Sequence, residues 1–253
     1  MAAQTNSNDN ATTITLEKNR SLSPSTGEEV RLLDISEYEQ AAQCLAEAFA
    51  VDEVARYFID TDDMVSYTEE YKYKMHCDIL RYITAAHCYK GIVTTIGPNY
   101  DAVALWMPPG KNMDDLWTIF RSGMWRLWYK LSSEGKTRFY DEFLPLLHET
   151  KHSIMGGRDD DSYYLVYIGS KPSARGKGYA RKLIEHITAR ADFEGRATYL
   201  ESSAASNLPY YSKYGFEHIT DIELKRGEEP IKLHIMVREP QSMAESSKGT
   251  LKV

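Results

Sequence analysis

The chain has 253 residues, 42% hydrophobic and 26% charged, with 15 Gly and 9 Pro. That excludes collagen-like, disulfide-scaffold and wholly disordered chains, and the length suffices to bury a core. A formal net charge of -7 argues against a general nucleic-acid or anionic-membrane binder and is compatible with a cationic substrate.

Residues 1–26 read as a flexible tail. The stretch Met1 to Arg20 lacks the basic and apolar regions of a secretory signal, and Ser23-Pro24-Ser25-Thr26-Gly27 closes the tail as a linker. Residues 27–240 then read as one domain. Val30 to Leu33 is a short strand. Ser36 and Glu39 have capping-box spacing ahead of an amphipathic helix carrying Ala41, Ala42, Leu45, Ala46 and Phe49. A longer helix from about Tyr67 to Cys88 sets Tyr71, Met75, Ile79, Tyr82 and Ile83 on one side and stops at Gly91. Strands Ile92 to Ile96 and Ala102 to Met107 flank a Gly97-Pro98-Asn99 hairpin turn.

Residues 113–150 read as a helical insertion, helical to about Leu147 with a break at Ser132-Ser133-Glu134-Gly135. Its Trp117, Phe120, Met124 and Trp128 recur at helical spacing, with Trp125, Phe139, Tyr140 and Phe143 nearby. They either pack one face of the insertion on the sheet or help wall an acceptor pocket. A polar loop, Gly156 to Asp161, precedes strand Ser162 to Ser170 and a glycine turn. Helix Gly178 to Phe193, strand Thr198 to Ser202, short helix Pro209 to Tyr214 and strands Phe216 to Leu224 and Ile231 to Val237 follow. Residues 241–253 read as a second flexible tail. No run of about 18 apolar residues occurs. The cysteines Cys44, Cys77 and Cys88 are odd in number and unclustered, which fits reduced thiols. A soluble, cytoplasmic protein with no membrane partner is expected.

The most informative segment joins the strand ending at Ser170 to the helix opening at Gly178. Its basic loop presents successive backbone N–H groups, and the helix start adds about half a positive charge. Gly176 and Gly178 let the backbone approach a phosphate without a Cβ in the way. Lys171, Arg175, Lys177, Arg181 and Lys182 add full charges, confined to one loop rather than spread as a nucleic-acid stripe. Neither a Walker loop nor a dinucleotide fingerprint fits, because Gly176-Lys177-Gly178 lacks the first frame and Arg181 occupies the third glycine position of the second.

Arg175-Gly176-Lys177-Gly178-Tyr179-Ala180 resembles the acyl-CoA-binding signature of the GNAT superfamily of N-acetyltransferases. The stretch Tyr199 to Phe216, with Asn207-Leu208-Pro209-Tyr210-Tyr211-Ser212-Lys213-Tyr214-Gly215-Phe216, resembles that family's closing motif as it appears in puromycin-type antibiotic acetyltransferases, and Ala102 to Pro109 is similar to a strand of that subgroup. The resemblance covers residues 162–238 well and the first hundred loosely. It implies an α/β (α+β) GNAT fold: a central mixed, mostly antiparallel sheet splayed between two parallel strands, flanked by helices, with a helical insertion.

By that resemblance acetyl-CoA is the co-substrate. Backbone groups of Ile168, Gly169 and Ser170 would pair with the pantetheine amides like an added strand, although Ser170 stands where the family is usually aliphatic. The loop Arg175, Gly176, Lys177, Gly178, Tyr179, Ala180 and Arg181 would hold the pyrophosphate. Asn207 would cap its short helix or bond the coenzyme arm. Glu201, on a strand facing the cleft, is the candidate base, directly or through water, and burial would raise its pKa; its alternative is a hydrogen-bonded sheet residue. Tyr211, at the family's general-acid place, would protonate the leaving thiolate or else pack under the coenzyme. The tetrahedral oxyanion needs a donor, for which an N–H of the Ile168 to Ser170 strand is the candidate.

The implied reaction is direct acetyl transfer in a ternary complex to a small-molecule primary amine, since no cysteine lies near the motif to carry an acyl group. The alternatives are a protein or polyamine acceptor, or a non-catalytic acyl-CoA-binding sensor. No metal is expected: His76 and His87, eleven helical residues apart, stand about 16 Å from one another. The acceptor's identity and the oligomeric state are not readable from the sequence.

Overall fold

The computed structural model describes residues 29–113 and 115–242. The expected tail 1–26, and all but the first two residues of the expected tail 241–253, lie outside the described residues. Alternating and continuously apolar segments form one seven-stranded sheet. Its strands are β1 (Arg31–Leu32), β2 (Ile92–Ile96), β3 (Ala102–Met107), β4 (Tyr163–Ser170), β5 (Thr198–Ser202), β6 (Glu217–Leu224) and β7 (Ile231–Arg238), in the order β1-β2-β3-β4-β5-β7-β6. Every neighbouring pair is antiparallel except β4 and β5. The sheet is therefore mixed and mostly antiparallel.

Two helical layers cover it. On one face α1 (Tyr38–Ala48) and α3 (Glu69–Lys90) bury Leu45, Ile79 and Ile83 against Val103, Leu105 and Leu233. On the other, α8 (Tyr179–Glu194) buries Leu183, Ile184 and Ile187 against Ala104, Trp106, Leu165 and Leu200. The faces alternate along β3, which is why that strand is apolar at every position and buried throughout. Among the described residues no helix is long and apolar enough to cross a membrane.

Four features depart from the pattern read above. The capping box lies two residues earlier than Ser36 and Glu39. Ser36 N–H donates to Asp34 Oδ1 at 3.1 Å and Asp34 N–H to Glu37 Oε2 at 3.2 Å, because an aspartate caps as well as a serine and a 3-10 turn, Ile35–Glu37, precedes α1. A short helix α2 (Glu53–Tyr57) is too brief to show a helical period. In the long helix, Tyr71 is exposed rather than part of the buried side.

The insertion is the fourth. It comprises α4 (Leu116–Ser122), α5 (Leu127–Lys130), α6 (Ser133–Lys136), a π-helical turn (Thr137–Phe143) and α7 (Leu144–Met155), so its helix runs past the expected boundary at 150. Trp117, Phe120 and Trp128 do not pack on the sheet. They are 67%, 63% and 55% exposed, since helical spacing defines a shared face without saying what covers it.

Candidate active site

The parallel pair β4–β5 holds together only at Tyr163↔Thr198, Tyr164↔Tyr199 and Leu165↔Leu200. Beyond Leu165, β4 stays with β3 as far as Ser170 opposite Ala102, while Glu201 and Ser202 stay with Ile235 and His234 of β7. The two strands splay apart at that point. One extra residue in β4, Val166, lies between the Trp106↔Leu165 and Leu105↔Tyr167 pairings, and such a bulge bends its strand. Past it, among the described residues, β4 has no strand partner on the side that β5 has left.

A cavity of about 690 Å³ occupies the splay and extends under the insertion. Val166, Tyr167 and Ile168 of β4, Leu200, Glu201 and Ser202 of β5, Asn207 and Tyr211 line one end. Met124, Phe139, Tyr140 and Phe143 line the other, with Asp52, Glu149 and Asp160 also on the wall. Of the positions weighed as pocket walls, Met124, Phe139, Tyr140 and Phe143 line the cavity, and Trp117, Phe120, Trp125 and Trp128 do not.

Glu201 sits where the strands part. Burial pushes its carboxyl up to about 7, against opposing pulls from the phenols of Tyr164 and Tyr199, its own backbone and the Lys151 ammonium. Glu201 Oε1 and Tyr199 Oη are both buried and make no hydrogen bond. A buried acceptor left open in this way is costly and marks a place where a ligand or water polar group belongs. Lys151 Nζ stands 6.0 Å from both the Tyr164 and the Tyr199 ring centroids and bonds to Asp159. Sequence reasoning missed these three residues. For Tyr199 a signal existed, since it is two residues from Glu201 on β5 and shares its face; Tyr164 and Lys151 arrive from other elements.

Tyr211 lies on α9 (Leu208–Ser212), buried, with edge contacts to Phe216 at 5.9 Å and Tyr210 at 5.8 Å between centroids. Burial pushes its phenol up to about 12, so it keeps its proton at neutral pH. Asn207 precedes α9 but its side chain makes no capping bond, so the capping role expected of it does not hold, and it lines the cavity instead.

The basic loop continues from the end of β4. Gly176 and Gly178 have φ of +80° and +74°, and a Cβ at either would meet nothing within 4 Å. Glycine is required there by conformation, and the space above the loop is open. Lys182 N–H makes the first intrahelical bond of α8, to Gly178 O at 3.2 Å, leaving the N–H groups of Tyr179, Ala180 and Arg181 without intrahelical partners. Lys171 Nζ donates to Asn99 O at 2.8 Å, Arg181 pairs with Glu185 and Lys177 stands 5.8 Å from the Tyr179 ring centroid. Arg175 is exposed and reaches Ala48 O at 3.5 Å.

The structure thus brings Ile168, Glu201, Asn207 and Tyr211 together around the cavity, and sets Arg175 to Gly178 on the loop after β4 and Tyr179 to Arg181 in the first turn of α8. Gly169 has a further duty. A Cβ on it would come 2.7 Å from Ala48 Cβ, so glycine is what lets α1 lie against β4. Ser170 ends the strand opposite Ala102.

Comparison with known proteins gives these features a setting. A family model described as an acetyltransferase (GNAT) domain matches residues 148–218. A Schizosaccharomyces pombe protein named as an uncharacterized N-acetyltransferase is 42% identical over 217 residues, covering 86% of this chain and 85% of its own. Among solved structures, arylalkylamine N-acetyltransferase 2 from Aedes aegypti superposes with a TM-score of 0.53 at 16% identity, covering 84% of this chain and 99% of that one. A Drosophila melanogaster polyamine N-acetyltransferase does so at 0.51 and 13%, covering 83% and 98%. This chain shares its fold with the two solved structures.

Proposed function

The chain belongs to the GNAT acetyltransferases and is an N-acetyltransferase, and from that premise we propose that it acetylates a small primary amine by direct attack, with acetyl-CoA as co-substrate. The observation that carries the reading is Glu201: a carboxyl held near neutrality, with an unpartnered oxygen, at the point where β4 and β5 part.

The residues present suit acetyl-CoA. The unpaired side of β4 from Ile168 to Ser170 offers main-chain N–H and C=O groups to an extended amide-bearing arm, in the manner of an added strand. The open loop with its two left-handed glycines and the start of α8 offer N–H groups to a diphosphate, and Arg175, Lys177 and Arg181 add charge. When bound, acetyl-CoA supplies an acetyl group activated as a thioester. The chain's task is to manage protons around it. An ammonium has no lone pair, so Glu201 takes a proton from the amine, directly or through one water; at about 7 the carboxyl is ionised often enough to accept it and basic enough to hold it. The Tyr211 phenol, still protonated at neutral pH, returns a proton to the departing sulfur in this reading.

The lining of the cavity supports an acceptor of this kind. Phe139, Tyr140, Phe143 and Met124 provide an apolar wall, while Asp52, Glu149 and Asp160 favour a cation. An amine on an aromatic or aliphatic body matches both. The fold neighbours include enzymes named for arylalkylamines and for polyamines, and the aromatic wall favours the first kind. The test is thiol release from acetyl-CoA with a panel of arylalkylamines, polyamines and N-terminal peptides, read together with the mass gain of one acetyl group on the acceptor. A chain that binds the coenzyme and releases no thiol with any amine would be a sensor instead.

A further inference from the structure

Away from the cleft, β6 and β7 gather three metal-ligating side chains. Asp221 is the direct cross-strand partner of His234. In a regular strand His218, three residues before Asp221, would point to the opposite face. The register slips between His218, opposite Met236, and Thr220, opposite Ile235, so Ile219 is an extra residue. This bulge turns His218 onto the face of the other two, the re-aiming that bulges perform. His218 Nε2 and His234 Nδ1 each lie 2.7 Å from Asp221 Oδ1. The ring centroids are 5.9 Å apart, and the three ligating atoms all lie within 4.8 Å of one another.

We infer that His218, Asp221 and His234 form a binding site for a late first-row divalent cation, zinc foremost. Two imidazole nitrogens and one carboxylate oxygen suit such an ion and not magnesium or calcium, which take oxygen donors. Metal–ligand bonds of about 2.0–2.2 Å place neighbouring ligand atoms of a tetrahedral ion roughly 3.3 Å apart. Each imidazole nitrogen would open from Asp221 Oδ1 by a fraction of an ångström while the two nitrogens, within 4.8 Å of one another, adjust to that spacing, which side-chain rotation at exposed His218 and Asp221 allows. The side chains of His218 and Asp221 are 41% and 35% exposed and that of His234 is 10%. The ion would therefore have a buried anchor and at least one coordination position open to water. It would fasten β6, an edge strand, to β7. His234 is also the cross-strand partner of Ser202, the residue after Glu201, so the fastened hairpin supports the strand that carries the candidate base. His76 and His87 play no part. Each bonds a backbone carbonyl, at Ala46 and Ile83.

The test is titration of the full, chelator-treated chain with zinc chloride by calorimetry, with cobalt(II) absorption as the coordination readout. One equivalent should bind saturably, raise the thermal midpoint by mass action, and give cobalt bands of a nitrogen–oxygen site. His218→Ala and Asp221→Asn should each weaken binding by at least about tenfold while leaving amine acetylation at the wild-type rate in metal-free buffer. Should one variant fail to fold, the other decides. Absence of saturable binding, equal affinity in wild type and folded variant, or cobalt–thiolate charge-transfer bands placing the ion on Cys44, Cys77 or Cys88 would each overturn the site.

Discussion

Replacing Glu201 with Gln keeps the length and shape of the side chain and removes its titration. Burial at the strand splay pushes the wild-type carboxyl from 4.5 up to about 7. At pH 6 roughly one carboxyl in ten is then ionised, and at pH 8 roughly nine in ten. With the carboxylate as the base, wild-type kcat/KM rises about tenfold between those pH values on this account alone. The acceptor's own ionisation adds to the slope equally in both proteins and cancels in the ratio of wild type to variant. That ratio, measured by thiol release, should reach about 10²–10⁴ at pH 8 and shrink about tenfold by pH 6.

The same shift bears on stability with the opposite sign. Because the folded pKa lies above the unfolded one, the group's contribution is fully present below about 4.5 and is lost as pH rises through about 7. Glu201→Gln should therefore be more stable to unfolding than wild type at pH 8, by up to about 3 kcal/mol, and show less difference at pH 5. A ratio that does not change with pH, or a variant within twofold of wild type at pH 8, would refute the assignment of Glu201 as base.

Tyr211→Phe removes one hydroxyl and keeps the edge packing on Phe216 and Tyr210. Turnover should fall about a hundredfold with acetyl-CoA affinity nearly unchanged by calorimetry, and an unaltered rate would withdraw the proton-donor role. Gly169→Ala sets a Cβ 2.7 Å from Ala48 Cβ. The helix must move off the strand, which should lower unfolding stability in urea by about 1–3 kcal/mol; a loss below 0.5 kcal/mol would show that α1 yields freely, since overpacking carries its penalty only in a rigid site.

The parts of the molecule legible in the sequence are those whose local chemistry leaves no choice. Gly97-Pro98-Asn99 turns the β2–β3 hairpin, and the strand limits Ile92–Ile96 and Ala102–Met107 coincide with the strands read on either side. Gly176 and Gly178 read as a glycine turn opening onto a helix, and both take left-handed backbone there. What escaped depends on partners from elsewhere in the chain. Glu201 could be placed on a strand, but the phenol of Tyr164 and the ammonium of Lys151 reach it from β4 and α7. Gly169 reads as a backbone site for a coenzyme, while the fold also needs it bare for Ala48. Trp117 and Phe120 share a helix face by spacing, and the fold leaves that face in solvent. His218 joins Asp221 and His234 only because the register slips at Ile219, which no periodicity of two can foretell.

Backbone hydrogen exchange of the full chain with and without acetyl-CoA tests most directly whether the nucleotide end is gripped by main-chain amides and its arm lies along the free side of β4. Slowed exchange should appear in two tracts, residues 168–170 and residues 176–181, and should persist in Glu201→Gln, which spares binding. Unchanged exchange in both tracts under saturating acetyl-CoA, with protection arising at another part of the surface, would contradict the account.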